Sequence, residues 1–190
     1  MYDRRLNEDA INAHNKYRKV HGCPALTLDN QLAEGAQKYA ERLAYLGKLI
    51  HSDCKEYGEN LATSMSSQKA TLTGSDVSKM WYDEIKLHDF SGEFNGKSGH
   101  FTQLIWKSTV KAGFGVASTK DGHQIFIVGR YMPPGNMLGE FLQNVPPAVA
   151  ESAQLSTKHI PKTRPRPKII MHGNFRRKRE RHTAPSIAVV

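Results

Sequence analysis

Leu6, Ala10, Ala13, Tyr17 and Val20 recur at spacings of four, three, four and three, so they form one stripe of a helix that Gly22 and Pro24 bring to an end. A second stripe, Leu32, Ala36, Tyr39, Leu43 and Leu46, follows the capping residues Asp29 and Asn30 and stops at Gly47, where a helix C-terminus favours a left-handed residue. Behind Ser75 and Asp76 the pattern returns in Val77, Met80, Trp81, Glu84 and Ile85, predicting a third helix with a carboxylate on or near its apolar face. The period then changes. Residues 112–118 and 124–131 flank a turn holding Asp121-Gly122, and Ile125-Phe126-Ile127-Val128 is a continuous apolar run suited to a buried strand. Helices first, with short strands between and after them, predict an α+β domain: helices packed on an antiparallel sheet.

This pattern stops well before the chain does. Residues 1–145 carry 17 Lys and Arg against 16 Asp and Glu, whereas residues 146–190 carry 10 against 2, so nearly all of the net charge of +9 lies in the second segment. That segment holds six of the nine prolines and Phe175 as its one aromatic, a composition that cannot bury a core. The expected organisation is a folded domain over 1–145 and a Pro-rich, basic, disordered tail over 146–190. No window approaches the roughly 18 apolar residues of a membrane-spanning helix. Met1-Tyr2-Asp3-Arg4-Arg5 precedes no apolar run, so a chain starting at Met1 is expected in the cytosol, with an extracellular location left for a start further upstream. Two cysteines, Cys23 and Cys54, outside any C-x-x-C pattern, exclude a zinc-finger site and an attached c-type haem, and both are expected as reduced thiols.

The signatures of P-loop enzymes, zincins and nucleophile-elbow hydrolases are missing, and Gly113-Phe114-Gly115 is too short for a dinucleotide fingerprint. What remains is a set of polar residues in apolar surroundings: His51 after Leu49-Ile50, Glu59 within Tyr57-Gly58-Glu59-Asn60-Leu61, Glu84, and His100 within residues 99–106. Spacing alone does not bring them together, and a half-buried histidine is more often a hydrogen-bonded core residue than a ligand.

Gly99-His100-Phe101-Thr102-Gln103-Leu104-Ile105-Trp106 resembles the first signature of the CAP superfamily, which groups cysteine-rich secretory, antigen 5 and plant pathogenesis-related proteins. Tyr131-Met132-Pro133-Pro134-Gly135-Asn136 resembles the second, and 13–18, 57–61 and 81–85 fit the family in its order. The resemblance implies an α-β-α sandwich whose cleft is lined by two histidines and two glutamates, matched by His51, His100, Glu59 and Glu84. In the family the imidazoles can bind a divalent metal, commonly zinc; His51 and His100 are then the ligands, with Glu59 and Glu84 orienting them or holding a metal-bound water. The chain is most similar to the intracellular, Golgi-associated subgroup, which implies peripheral membrane attachment and a possible homodimer. That subgroup's myristoyl signal needs Gly at position 2, where this chain has Tyr2, so a lipid anchor is not carried over.

The expected function is therefore non-catalytic: binding of lipid, sterol or an anionic membrane, with an optional divalent metal in the cleft. The competing reading is a metal-assisted hydrolase with Glu59 or Glu84 as general base. Phe90 and Phe94, on the glycine-rich loop from Asp89 to Gly99, are the candidate lipid contacts, unless they merely staple the loop to the core. Trp81, Trp106 and Tyr131 are assigned to the core, and His14 and Asn15 to buried backbone partners. In the tail, Arg176, Arg177, Lys178, Arg179 and Arg181 suit an anionic membrane surface or nuclear import factors. Without interleaved aromatics, nucleic acid is not an expected partner.

Overall fold

A computed structural model describes residues 1–149. The first helix, α1, runs over Arg4–Val20 with Asp3 accepting from the Leu6 N–H as its N-cap, and the second, α2, runs over Asn30–Leu46 behind Asp29 and ends in left-handed Gly47, φ 61°. Between them β1 (Thr27–Leu28) is only two residues long. There follow β2 (Gly58–Met65), α3 (Gly74–Tyr82), α4 (Gly99–Ile105), β3 (Lys111–Ser118), β4 (Gln124–Met132) and a short α5 (Phe141–Asn144). The strands form one sheet in the order β1-β3-β4-β2, antiparallel except where β1 runs parallel to β3.

The period-2 rule splits the apolar run of β4 between two cores. Ile127 joins Phe114, Tyr131 and Ala62 against α1, α3 and α4, while Phe126 and Val128 join Leu61 against Ala36, Ala40 and Leu43 of α2. The sheet is thus covered on both faces, the α-β-α sandwich expected above. Close approach of α2 to β3 depends on Gly113 and Gly115, where an added Cβ would lie 2.2 Å from the Ala33 and Gln37 nitrogens respectively. The free edge of β3 is occupied by side-chain amides: Asn7 exchanges hydrogen bonds with the Phe114 N–H and carbonyl, and Gln37 does so with those of Val116. Two amides so placed satisfy an edge that would otherwise be open to another strand.

Arg18 organises the far end of α4. Fully buried, it donates from Nε to the Pro24 carbonyl and from its two terminal nitrogens to those of Leu104, Trp106 and Thr109, at 2.7–2.9 Å. A guanidinium at a helix C-terminus satisfies carbonyls that lack an intrahelical partner. Burial pulls its pKa down to about 10, so it keeps its charge at neutral pH.

The predicted helices differ from the observed ones in detail. Helix α3 is capped by Thr73, not Ser75, and Asp76 closes a capping box from inside the first turn. Glu84 lies beyond α3, on a 3-10 segment over Asp83–Leu87. Val20, Leu46 and Met80 are exposed, because each sits at the rim of its stripe where no neighbouring layer reaches. Trp81, Trp106 and Tyr131 are buried as expected, and both thiols are free. The fold also continues past Val145: the Pro146 carbonyl lies 2.7 Å from Nδ1 of buried His21. Residues 150–190, with Arg176, Arg177, Lys178, Arg179 and Arg181, lie outside the described residues.

Candidate functional site

Glu59 is the second residue of β2 and faces Arg130 across the β2–β4 ladder. Its carboxylate is saturated. His51 Nδ1 lies 3.1 Å from Oε1, the Ser52 N–H and hydroxyl donate to Oε1 and Oε2 at 2.8 Å, and Arg130 Nε stands 3.4 Å from Oε2 as a charge partner. Burial by itself would raise the carboxyl pKa, but the hydrogen bonds from His51 and Ser52 and the Arg130 charge outweigh it and hold Glu59 below the usual carboxylate range. Arg130 is in turn seated against the Tyr57 and Tyr39 rings, 4.2 and 5.4 Å from their centroids.

The second pair is built at the start of α4. Glu84 Oε1 lies 2.6 Å from His100 Nδ1, and Oε2 accepts from the His100 and Phe101 N–H groups at 3.0 and 3.3 Å. The carboxylate thus fixes both the ring and the first turn of the helix that carries it. Trp81, one turn before Glu84, stacks on the His100 ring at 6.1 Å.

Asn60 joins the two pairs. Successive strand residues face opposite ways, so Glu59 meets His51 while Asn60 donates to the His100 carbonyl at 3.1 Å. The same amide lies 3.4 Å from the Tyr131 hydroxyl, which reaches His14 Nε2 at 2.9 Å. Beside His51, a cavity of about 350 Å³ is lined by Glu59, Cys54, Tyr57, Gln103 and Asn136 among others. Gln103 Oε1 accepts from the Gly135 N–H at 2.9 Å, and Asn136, at φ 58°, meets Thr102 Oγ1 and the Gly99 carbonyl, so the two signature segments are clamped together. A Cβ at Gly58 would lie 1.9 Å from Gln103 Oε1, so a side chain there would displace the Gln103 amide from the Gly135 N–H.

The four residues singled out in the sequence therefore stand as two carboxylate–imidazole pairs. His100 and Glu84 do not line the cavity beside His51, and among the described residues no three His, Cys, Asp or Glu side chains are grouped, so an ion held by His51 and His100 would take its remaining donors from solvent. Each imidazole has Nδ1 committed and Nε2 without a hydrogen-bond partner among the described residues. Phe90 and Phe94 part company: Phe90 is half-buried, packed edge-on to His88 and Phe101 against the core, while Phe94 stays 43% exposed with its ring 5.7 Å from Phe141. Their loop is pinned by Asn95, which donates to the Leu87 carbonyl at 2.7 Å. Arg130, Ser52 and Asn60 escaped the sequence reading, because their roles rest on cross-strand register and a tight turn that no local pattern encodes.

Residues 11–131 match the family model described as the cysteine-rich secretory protein family, CAP. The chain belongs to the CAP family. It is 41% identical over 150 residues to the human Golgi-associated plant pathogenesis-related protein 1, covering 76% of this chain and 94% of that one. It is 37% identical to the basic form of pathogenesis-related protein 1 of Nicotiana tabacum, over 70% of this chain and 73% of the relative. Protein PRY2 of Saccharomyces cerevisiae is 39% identical over 72% of this chain, which spans only 40% of that longer protein. Among solved structures, BmVAL-1 superposes with a TM-score of 0.62 at 23% identity, covering 72% of this chain and 80% of that one. That structure shares its fold.

Proposed function

We propose that this CAP domain is a non-catalytic binding module: its cleft takes a divalent metal, zinc by donor chemistry, on His51 and His100, and the protein attaches peripherally to lipid or an anionic membrane. The observation that carries the metal reading is the commitment of both carboxylates. Glu59 and Glu84 each accept three hydrogen bonds, including one from an imidazole Nδ1, and so are placed as orienters of the two rings. That same commitment argues against either as a general base, and with it against the hydrolase reading.

Two neutral imidazoles with their tautomer set by a carboxylate suit zinc, with water completing the coordination sphere; bound there, the metal supplies a positive charge for an anionic ligand group. Membrane attachment is supported by the basic residues beyond Val149 and by the 41% identical human relative, whose name places it at the Golgi. Calorimetric titration of the full chain with zinc tests the metal site. Binding is expected to vanish in His51→Ala/His100→Ala and to weaken in acid, because protons compete with the metal for the imidazole nitrogens. Equal affinity in the double variant would refute it.

A further inference from the structure

Several exposed apolar side chains stand around the turn that leads into α5. The Glu140 N–H donates to the Met137 carbonyl at 3.1 Å and Gly139 has φ 84°, which closes a β-turn with Leu138 at its first central position. Such a position usually carries a polar residue or proline. Here Leu138 is 79% exposed, and Leu142, one helical turn on in α5, is 72% exposed.

Phe94 and Gly92 extend this surface from the other side. A Cβ at Gly92 would fall 2.3 Å from Leu142 Cγ, and the Phe94 ring stands beside Phe141. The projection is held firmly from beneath. Phe141 is buried edge-on to Trp106 at 5.1 Å, and Asn144 takes the Lys107 and Ser108 N–H groups on its carbonyl and side chain. Scattered exposed leucines need no explanation, but a turn tip and two neighbouring elements presenting Leu138, Leu142 and Phe94 together form a patch.

We infer that Leu138, Leu142 and Phe94 form an apolar wedge that inserts into an anionic bilayer. The inference rests on the membrane reading above and names the face that does the work. Charge identifies the occupant. The described fold ends at Val149, seven residues after Leu142, and residues 150–190 bring 10 Lys and Arg against 2 Asp and Glu. An acidic bilayer satisfies both features at once, since stable attachment commonly needs an apolar insertion and a polybasic segment together. Glu93 and Glu140 border the wedge and oppose anionic headgroups, so the attraction has to come from the following cations.

The test is co-sedimentation of the full chain with phosphatidylserine–phosphatidylcholine vesicles at 0.05 M and 1 M salt. Wild type is expected to bind strongly at low salt and to keep a weaker component at high salt. Leu138→Ser/Leu142→Ser should lose that salt-resistant component, with affinity down about a hundredfold, while the steep salt dependence survives. Both leucines are exposed, so folding is not at stake, and Leu138→Trp adds a second readout in a blue-shifted emission on vesicle binding. If the double variant matches wild type at both salts, the wedge is wrong and membrane attachment stands. If wild type binds no vesicles at either salt, both fail. If the leucine substitutions instead turn a dimer into a monomer in sedimentation and leave vesicle binding unchanged, the face belongs to a second copy of the chain and the wedge is again refuted.

Discussion

His14 sits fully buried between α1, α3 and β4 with both ring nitrogens spent, whereas His51 and His100 each spend Nδ1 on a carboxylate and keep Nε2 open. All three are histidines among apolar neighbours. His14 Nδ1 donates towards the Ala10 carbonyl and Ser78 Oγ, both 2.9 Å away, and Nε2 accepts from the Tyr131 hydroxyl. Burial pushes its pKa down to about 3 and that of Tyr131 up, so both stay neutral. A saturated imidazole is structure; a half-saturated one, turned by a carboxylate, is available to a ligand. Arg18 belongs with His14, as a buried cation whose donors are consumed by the fold.

The contrast is broken most severely at Arg18. Arg18→Met would leave the carbonyls of Pro24, Leu104, Trp106 and Thr109 without their donor, and the loss of stability is expected to be about 4 kcal/mol or more, read as a lowered denaturation midpoint. Zinc binding would be measured on the folded fraction and should survive wherever α4 does.

A smaller effect follows from His14. Because its folded pKa lies near 3, against 6.5 in the ordinary state, the unfolded chain binds the extra proton between these values. Its contribution is complete above pH 6.5 and is lost progressively as pH falls towards 3, with a slope of up to about 1.4 kcal/mol per pH unit. Chemical denaturation at a series of pH values should show this slope in wild type and its reduction by one proton in His14→Gln, which is less stable at neutral pH. An unchanged slope would remove His14 from the structural class.

The mildest substitutions sharpen the other side. Glu84→Gln and Glu59→Gln keep shape but weaken the hold on each imidazole, and zinc affinity is expected to fall by about tenfold to a hundredfold without loss of fold. Glu59→Gln should also cost some stability, since it leaves Arg130 without its charge partner. If both variants bind zinc like wild type, the carboxylates do not orient the ligands.

Local patterning alone determined the first two helices to within a residue or two, the hairpin of β3 and β4, the change of composition near residue 146, and, through two signature segments, the family. These are short-range properties: helical stripes, capping residues and turn glycines act within a few positions of one another. The tertiary structure decided the rest. Glu84 leaves the third helix for a 3-10 segment because its carboxylate is held by the backbone of α4, sixteen residues away. The pairing of His51 with Glu59 depends on Ser52 and on the register that sets Glu59 opposite Arg130. Phe90 and Phe94 look alike in sequence, and only packing against Phe101 half-buries one against the core and leaves the other at the surface. Leu138 and Leu142 join Phe94 for the same reason: which apolar residues stay exposed is settled by which layers reach them, and layers are assembled from segments far apart along the chain.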